Sequence, residues 1–217
     1  MKNFIFIFVG LLAAASCLSQ TVPGQDFNDY VVSMMKSYPT DGTHQYYWPS
    51  SGGWSGNTRD LYYRGALFAK GDSFGRCYCC GLTFEVFFRA YEAYCKAKGW
   101  PFVINNFDSS ALSKFKGQWF GSDGNRKTLL NAIVSNNLGR GISFEQAKLG
   151  DFVQLWRNNG SGHSVIFVEW VKNGQTITGV KYWSTQSSTN GIGYRIEYFG
   201  GSSGMDPNQF YIARVGK

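Results

Sequence analysis

Cys79-Cys80-Gly81-Leu82-Thr83-Phe84-Glu85-Val86-Phe87-Phe88-Arg89-Ala90-Tyr91-Glu92-Ala93-Tyr94 is the stretch on which the fold turns. Leu82, Val86, Phe87, Ala90 and Tyr94 recur at helical spacing, and Gly99 stands where such a helix would stop. The spacing predicts a helix from residue 79 to about residue 98, opening on two adjacent thiols. Upstream, Phe27, Tyr30, Val31, Met34 and Met35 predict a shorter helix over 26–36, halted by Pro39. Residues 41–57 read as an aromatic loop, 59–70 as a short strand or irregular segment, and 71–75 as a turn. Leu129, Leu130, Ile133 and Val134 predict a further helix over 125–136.

From residue 151 the pattern changes to strands, over 151–157, 163–171, 176–185, 193–199 and 210–215. Lys172-Asn173-Gly174-Gln175 carries the Asn-Gly signal of a hairpin. Helices first and strands after predict an α+β fold, with the helices packed on one side of a mostly antiparallel sheet of 4–6 strands.

The chain has 217 residues with 7 Trp, 13 Tyr and 18 Phe, a composition suited to a packed core rather than to disorder. Met1-Lys2-Asn3 followed by an apolar run to Ala15 has the length and flanks of a secretory signal peptide, with cleavage expected after Ser19. The run is too short to span a bilayer, and no other stretch is apolar enough to do so. Ala14-Ala15-Ser16-Cys17 loosely matches a lipobox, which makes a lipid anchor at Cys17 the second choice. Residues 20–217 then form one exported domain, secreted or periplasmic and expected as a monomer. The net charge of +7 is scattered rather than clustered, so nucleic acid is not an expected partner, while an anionic polymer would suit it.

Four cysteines follow the leader: Cys77, Cys79, Cys80 and Cys95. Three crowd into four residues, a poor arrangement for stapling a fold, although a Cys77–Cys95 bridge is open. Only His44 and His163 could join them at a metal, and nothing has ligand spacing, so neither metal nor organic cofactor is expected.

A thiol reacts as thiolate, and a helix start favours the thiolate through its free N–H groups and dipole. Cys79 and Cys80 lie at such a start, with Gly81 expected to leave the backbone open. His163 heads the run Ser164-Val165-Ile166-Phe167-Val168 after the flexible 158–162 segment, where a base could face a groove while its strand is anchored. A small buried residue and a turn histidine are the bland alternatives for each taken alone; occurring together, they favour a catalytic pair.

These residues resemble a family. Cys79-Cys80-Gly81-Leu82-Thr83 is similar to the nucleophile-helix opening of NlpC-type cell-wall peptidases. Gly150-Asp151-Phe152-Val153 resembles the Gly-Asp strand that those proteins and the CHAP amidases carry before the histidine, and Gly162-His163-Ser164-Val165-Ile166-Phe167 resembles their histidine strand. The order of the three motifs is the family's, over somewhat under half the chain. Tyr78 stands where an aspartate is common, and residues 98–146 exceed the compact family core.

The resemblance implies a papain-like fold and a cysteine peptidase or amidase acting on peptidoglycan, with Cys79 as nucleophile and His163 as base. It also implies an orienting polar residue on the strand after the histidine. Gln186 is preferred for that role, then Ser184 and Asn190; Tyr182, Ser184 and Gln186 share a strand face. Cys80 is the alternative nucleophile. Tyr46, Tyr47, Trp48, Trp54 and Trp183 could line a substrate groove, and Glu85 reads as a solvated or paired carboxylate. A thiol acyltransferase of the same fold and a non-catalytic wall-binding module with paired cysteines are the other readings.

Overall fold

The computed structural model describes residues 26–49 and 51–216; the expected leader and Cys17 lie outside the described residues. Asp26 caps α1 (Phe27–Lys36), accepting from the Asn28 amide at 3.0 Å, while Asp29 accepts from the Asp26 amide. Residues 59–70 form a hairpin of β1 (Leu61–Tyr63) and β2 (Ala66–Ala69). The thiol helix α2 (Cys79–Ala97) is followed by α3 (Ser109–Trp119) and α4 (Leu129–Ser135). The strands β3 (Gly139–Ile142), β4 (Phe152–Arg157), β5 (Gly162–Asn173), β6 (Thr176–Gln186), β7 (Gly191–Tyr198) and β8 (Met205–Val215) make one antiparallel sheet in the order β3-β8-β4-β5-β6-β7. The chain is thus α+β, with four helices among the described residues.

Three local expectations change. The helix expected from residue 125 begins at Leu129, because residues 125–128 close a turn instead: Thr128 N–H bonds Asn125 O at 3.2 Å, and Thr128 takes φ 34°. Nothing was expected at α3 or β3. Yet Asp108 caps α3 by accepting from the Ala111 amide at 2.7 Å, and Leu112, Phe115 and Trp119 are buried at helical spacing. A Cys77–Cys95 bridge is excluded by geometry: the residues stand at opposite ends of α2, a helix of 19 residues, and at 1.5 Å per residue that is roughly 25 Å. All four described cysteines are free thiols.

Packing explains why α2 decides the fold. Its stretch from Cys80 to Phe88 is buried on every side, not on a single face. A helix buried all round must lie inside a layer stack. It packs against α1 and against β5 and β6, with Phe84 and Phe87 meeting Phe115, Trp119 and Phe152 in one aromatic core. The sheet's other face is not bare. Val153, Leu155, Val165, Phe167, Val180 and Tyr182 form a second cluster there, covered by Phe144, Trp170 and Phe199. Strands buried on both faces read as continuous apolar runs, which is how β5 reads.

Candidate active site

Four segments converge on the thiols. Tyr78 is the N-cap of α2, extended at φ −131° and ψ 164°, and makes no side-chain cap bond. Leu82 N–H bonds Tyr78 O at 2.9 Å, so the amides of Cys79, Cys80 and Gly81 have no acceptor within the helix. Ahead of the helix, Cys77 and residues 45–47 pair: Cys77 N–H donates to Gln45 O at 3.0 Å and Tyr47 N–H to Cys77 O at 2.9 Å. This clip brings Tyr46 alongside the thiols. Gly81, expected to leave the helix start open, does the reverse. A Cβ on it would lie 2.3 Å from the carbonyl oxygens of Ser55 and Gly56, so glycine admits a loop packed directly on the first turn.

The histidine comes from the opposite layer. His163 pairs with Leu155 across β4–β5 and is buried at 6% exposure. Its Nε2 lies 2.9 Å from Gln186 Oε1. Gln186 cannot turn its amide round, because Gln186 Nε2 donates to Thr189 Oγ1 at 2.6 Å and that hydroxyl donates onward to Gly191 O at 2.6 Å. Its carbonyl oxygen must therefore face the ring, where it accepts the Nε2 proton. That fixes the tautomer and leaves Nδ1 for the thiol.

Ser184 and Asn190, the other candidates for this position, do not meet the ring. Ser184 Oγ donates to Ser164 O at 2.7 Å, and Asn190 sits in a left-handed turn with its side chain against Gly42. His44 donates from Nδ1 to Gly75 O at 2.7 Å, fastening the loop ahead of α2.

The two thiols differ electrostatically. Cys79 is pushed well below the usual thiol range by a hydrogen bond from Cys80, with the charge and hydrogen bond of His163 and the Ser164 amide acting the same way against burial. Cys80 moves the other way, raised by its hydrogen bond to Cys79, by burial and by the Cys79 charge. Cys77 is buried and pushed up to about 12, mainly by desolvation. Tyr46 is raised by burial and by the nearby Cys79 and Cys80, so its phenol stays a proton donor beside them.

A cleft of about 700 Å³ opens over this group. Tyr46, Trp48, Phe120 and Trp156 supply flat walls, Cys79 and His163 line it, and Arg157 and Arg195 enter from β4 and β7. Of the aromatics expected in a groove, Tyr46 and Trp48 line it, while Tyr47 and Trp54 stack on each other beside it. Trp183 does not take part: it is fully buried in the core against Tyr38.

Trp156, Arg157 and Arg195 were not singled out from the sequence. Trp156 and Arg157 end a strand that points toward His163, which was a usable signal; Arg195 carries none. Glu85 is a buried paired carboxylate, accepting from Tyr38 Oη at 2.7 Å, Thr58 N at 2.6 Å and Thr58 Oγ1 at 2.8 Å.

Among the described residues, no group of three or more His, Cys, Asp or Glu could hold a metal ion, and no helix is long and apolar enough to cross a membrane. Comparison with protein-family models, with curated proteins and with solved structures finds no match to this chain.

Proposed function

We propose that this chain is an exported cysteine hydrolase of papain-like fold that cleaves an amide bond through Cys79, His163 and Gln186. The observation that carries the reading is the ring of His163, held through Nε2 by Gln186 with Nδ1 left for a thiol whose ionisation is favoured. Three groups from α2, β5 and β6 in nucleophile, base and orienter order are the working parts of covalent acyl transfer.

In acylation, His163 takes the Cys79 thiol proton as Sγ attacks the substrate carbonyl carbon; the Sγ–C bond forms and the carbonyl π pair moves onto oxygen. The helix-start amide at Cys79 and the Tyr46 hydroxyl are donors available to the oxyanion. The carbon–nitrogen bond then breaks, and the imidazolium of His163 gives its proton to the leaving amine. Water next attacks the thioester while His163 takes its proton, releasing a carboxylate and restoring the thiol–imidazole pair. The aromatic cleft and the resemblance of the three motifs support peptidoglycan as the polymer attacked, at a stem-peptide bond or at the amide joining peptide to glycan. Free thiols at Cys79 and Cys80 weigh against a non-catalytic module with paired cysteines.

The test is labelling by an amide-type electrophilic probe. Cys79→Ala abolishes labelling, and Cys80→Ala leaves most of it. His163→Ala lowers the rate by about 10²–10⁴. Undiminished labelling of the His163→Ala variant overturns the pairing, while loss only in Cys80→Ala moves the nucleophile by one residue. Digestion of peptidoglycan then yields new free carboxylates; a new amide instead would mark an acyltransferase.

A further inference from the structure

Two arginines line the cleft, and only one of them is matched. Arg157 turns its Nε–Nη2 edge on Glu197, Nη2 lying 2.9 Å from Oε2, and Glu197 also accepts from Tyr182 Oη at 2.9 Å. Arg214, far from the cleft, grips Asp151 by the same edge at 2.7 Å through each nitrogen. Arg195 is the exception. Its Nη1 donates to Ser188 Oγ at 2.8 Å, but its Nε–Nη2 edge has no acceptor among the described residues, and it takes part in no ion pair there. None of the residues lining the cleft is an Asp or a Glu. Glu197 feels the Arg195 charge but is hydrogen-bonded by Arg157 and Tyr182, so one carboxylate faces two guanidiniums and the cleft keeps a net positive charge.

We infer that Arg195 is a specificity residue that receives a carboxylate of the substrate on its free Nε–Nη2 edge. The proposal rests on Cys79 being the nucleophile and names the class of substrate it attacks: an acyl compound bearing a carboxylate close to the scissile amide. A guanidinium edge offers two parallel donors that fit the two oxygens of a planar carboxylate, the geometry this chain itself uses at Arg157–Glu197, Arg214–Asp151 and Arg76–Asp72. The Ser188 bond holds the guanidinium at the cleft wall. Placing it there before substrate arrives limits the side-chain entropy lost on binding. The scattered positive charge of the whole chain works in the same direction at longer range.

The experiment uses two reagents of nearly equal size, N-bromoacetyl-glycine and N-bromoacetyl-glycinamide, which differ only in a carboxylate. Second-order alkylation rates at Cys79 are measured by peptide mass mapping for the full exported chain, for Arg195→Gln and for Arg195→Lys. The native chain is expected to react with the carboxylate reagent about an order of magnitude faster than with the amide, the size of one charge interaction in a partly desolvated site. Arg195→Gln brings the ratio near one, the loss falling on the carboxylate reagent. Arg195→Lys keeps part of the preference and loses it more steeply with added salt. A ratio that is the same in native and Arg195→Gln proteins overturns the subsite while the nucleophile stands. Failure of either reagent to label Cys79 in a His163-dependent way overturns both.

Discussion

Cys79 and Cys80 are the same residue type one position apart, and what separates them is where each sulfur sits. Both line the cleft, but Cys79 is the one that meets the imidazole of His163. Cys80 is buried and lends its S–H to its neighbour, which suppresses its own ionisation and favours that of Cys79. A consequence appears in the pH dependence of iodoacetamide alkylation. An ordinary thiol near 8.5 loses roughly 150-fold in thiolate between pH 8.5 and pH 6. Cys79, held below that range, keeps its thiolate on the way down and is expected to slow by less than about tenfold over the same interval. Cys80→Ala removes the S–H donor, so the Cys79 profile should shift toward higher pH, while Cys80→Ser, which retains a donor, shifts it less. A native profile that falls like an ordinary thiol would contradict the lowered Cys79 thiol. The same logic explains why the nucleophile could be narrowed from sequence but not decided: helix position is shared by both residues, and the imidazole that discriminates them arrives from a strand some eighty residues later.

At the scale of elements, the loop before α2 has its own organiser. Asp72 accepts from the Phe74 and Arg76 amides at 2.9 and 3.0 Å and pairs with the Arg76 guanidinium at 2.9 Å; Arg76 in turn lies over the Tyr47 and Phe74 rings. The Arg76 hydrogen bond, with those amides and the Arg76 charge, lowers the Asp72 carboxyl to about 2 against partial burial. A depressed carboxyl stabilises the fold above its unfolded value near 4 and loses that contribution as pH falls toward 2. Asp72→Asn should therefore cost about 1–2 kcal/mol at pH 7 in urea unfolding, and the gap to the native chain should close between pH 4 and pH 2. A pH-independent gap would mean that the amide geometry, not the charge, matters. Much of this level was legible. The Asn-Gly turn pairs Asn173 with Thr176, and counting outward sets His163 opposite Gln186. The ladder carries one extra residue on each strand, Val168 on β5 and Thr178 on β6, and the two displacements cancel. Those bulges left no mark in the residue pattern, and neither did α3, whose mixed Ser, Lys and Gly content hid a buried stripe.

At the scale of the molecule, the first helix and the last strand are tied through one residue, and that residue belongs to a motif that pointed to function. Asp151 is fully buried. It accepts from Asn28 Nδ2 of α1 at 2.8 Å, from the Lys148 amide at 2.9 Å and from both Nε and Nη2 of Arg214 on β8. Gly150 beside it takes φ 92°, and a Cβ there would lie 2.9 Å from Asn28 O, so the Gly-Asp pair is demanded by packing between α1 and the sheet. The Gly-Asp signal is thus legible in the sequence as a motif, but its physical content is architectural: it closes the two ends of the domain against each other and holds β4, whose far end lines the cleft. Asp151→Ala leaves the Arg214 guanidinium, 12% exposed, without its carboxylate. Stranding one half of a buried pair costs about 3–5 kcal/mol. Asp151→Ala should therefore lower the urea midpoint steeply with little change in slope, and Arg214→Met added to it should recover part of the loss, because the stranded charge is gone. The Cys79 alkylation rate of whatever fraction stays folded should be unchanged, since Asp151 meets no group of the cleft. A variant that keeps its midpoint but loses alkylation would reverse the assignment, moving Asp151 from the architecture into the chemistry.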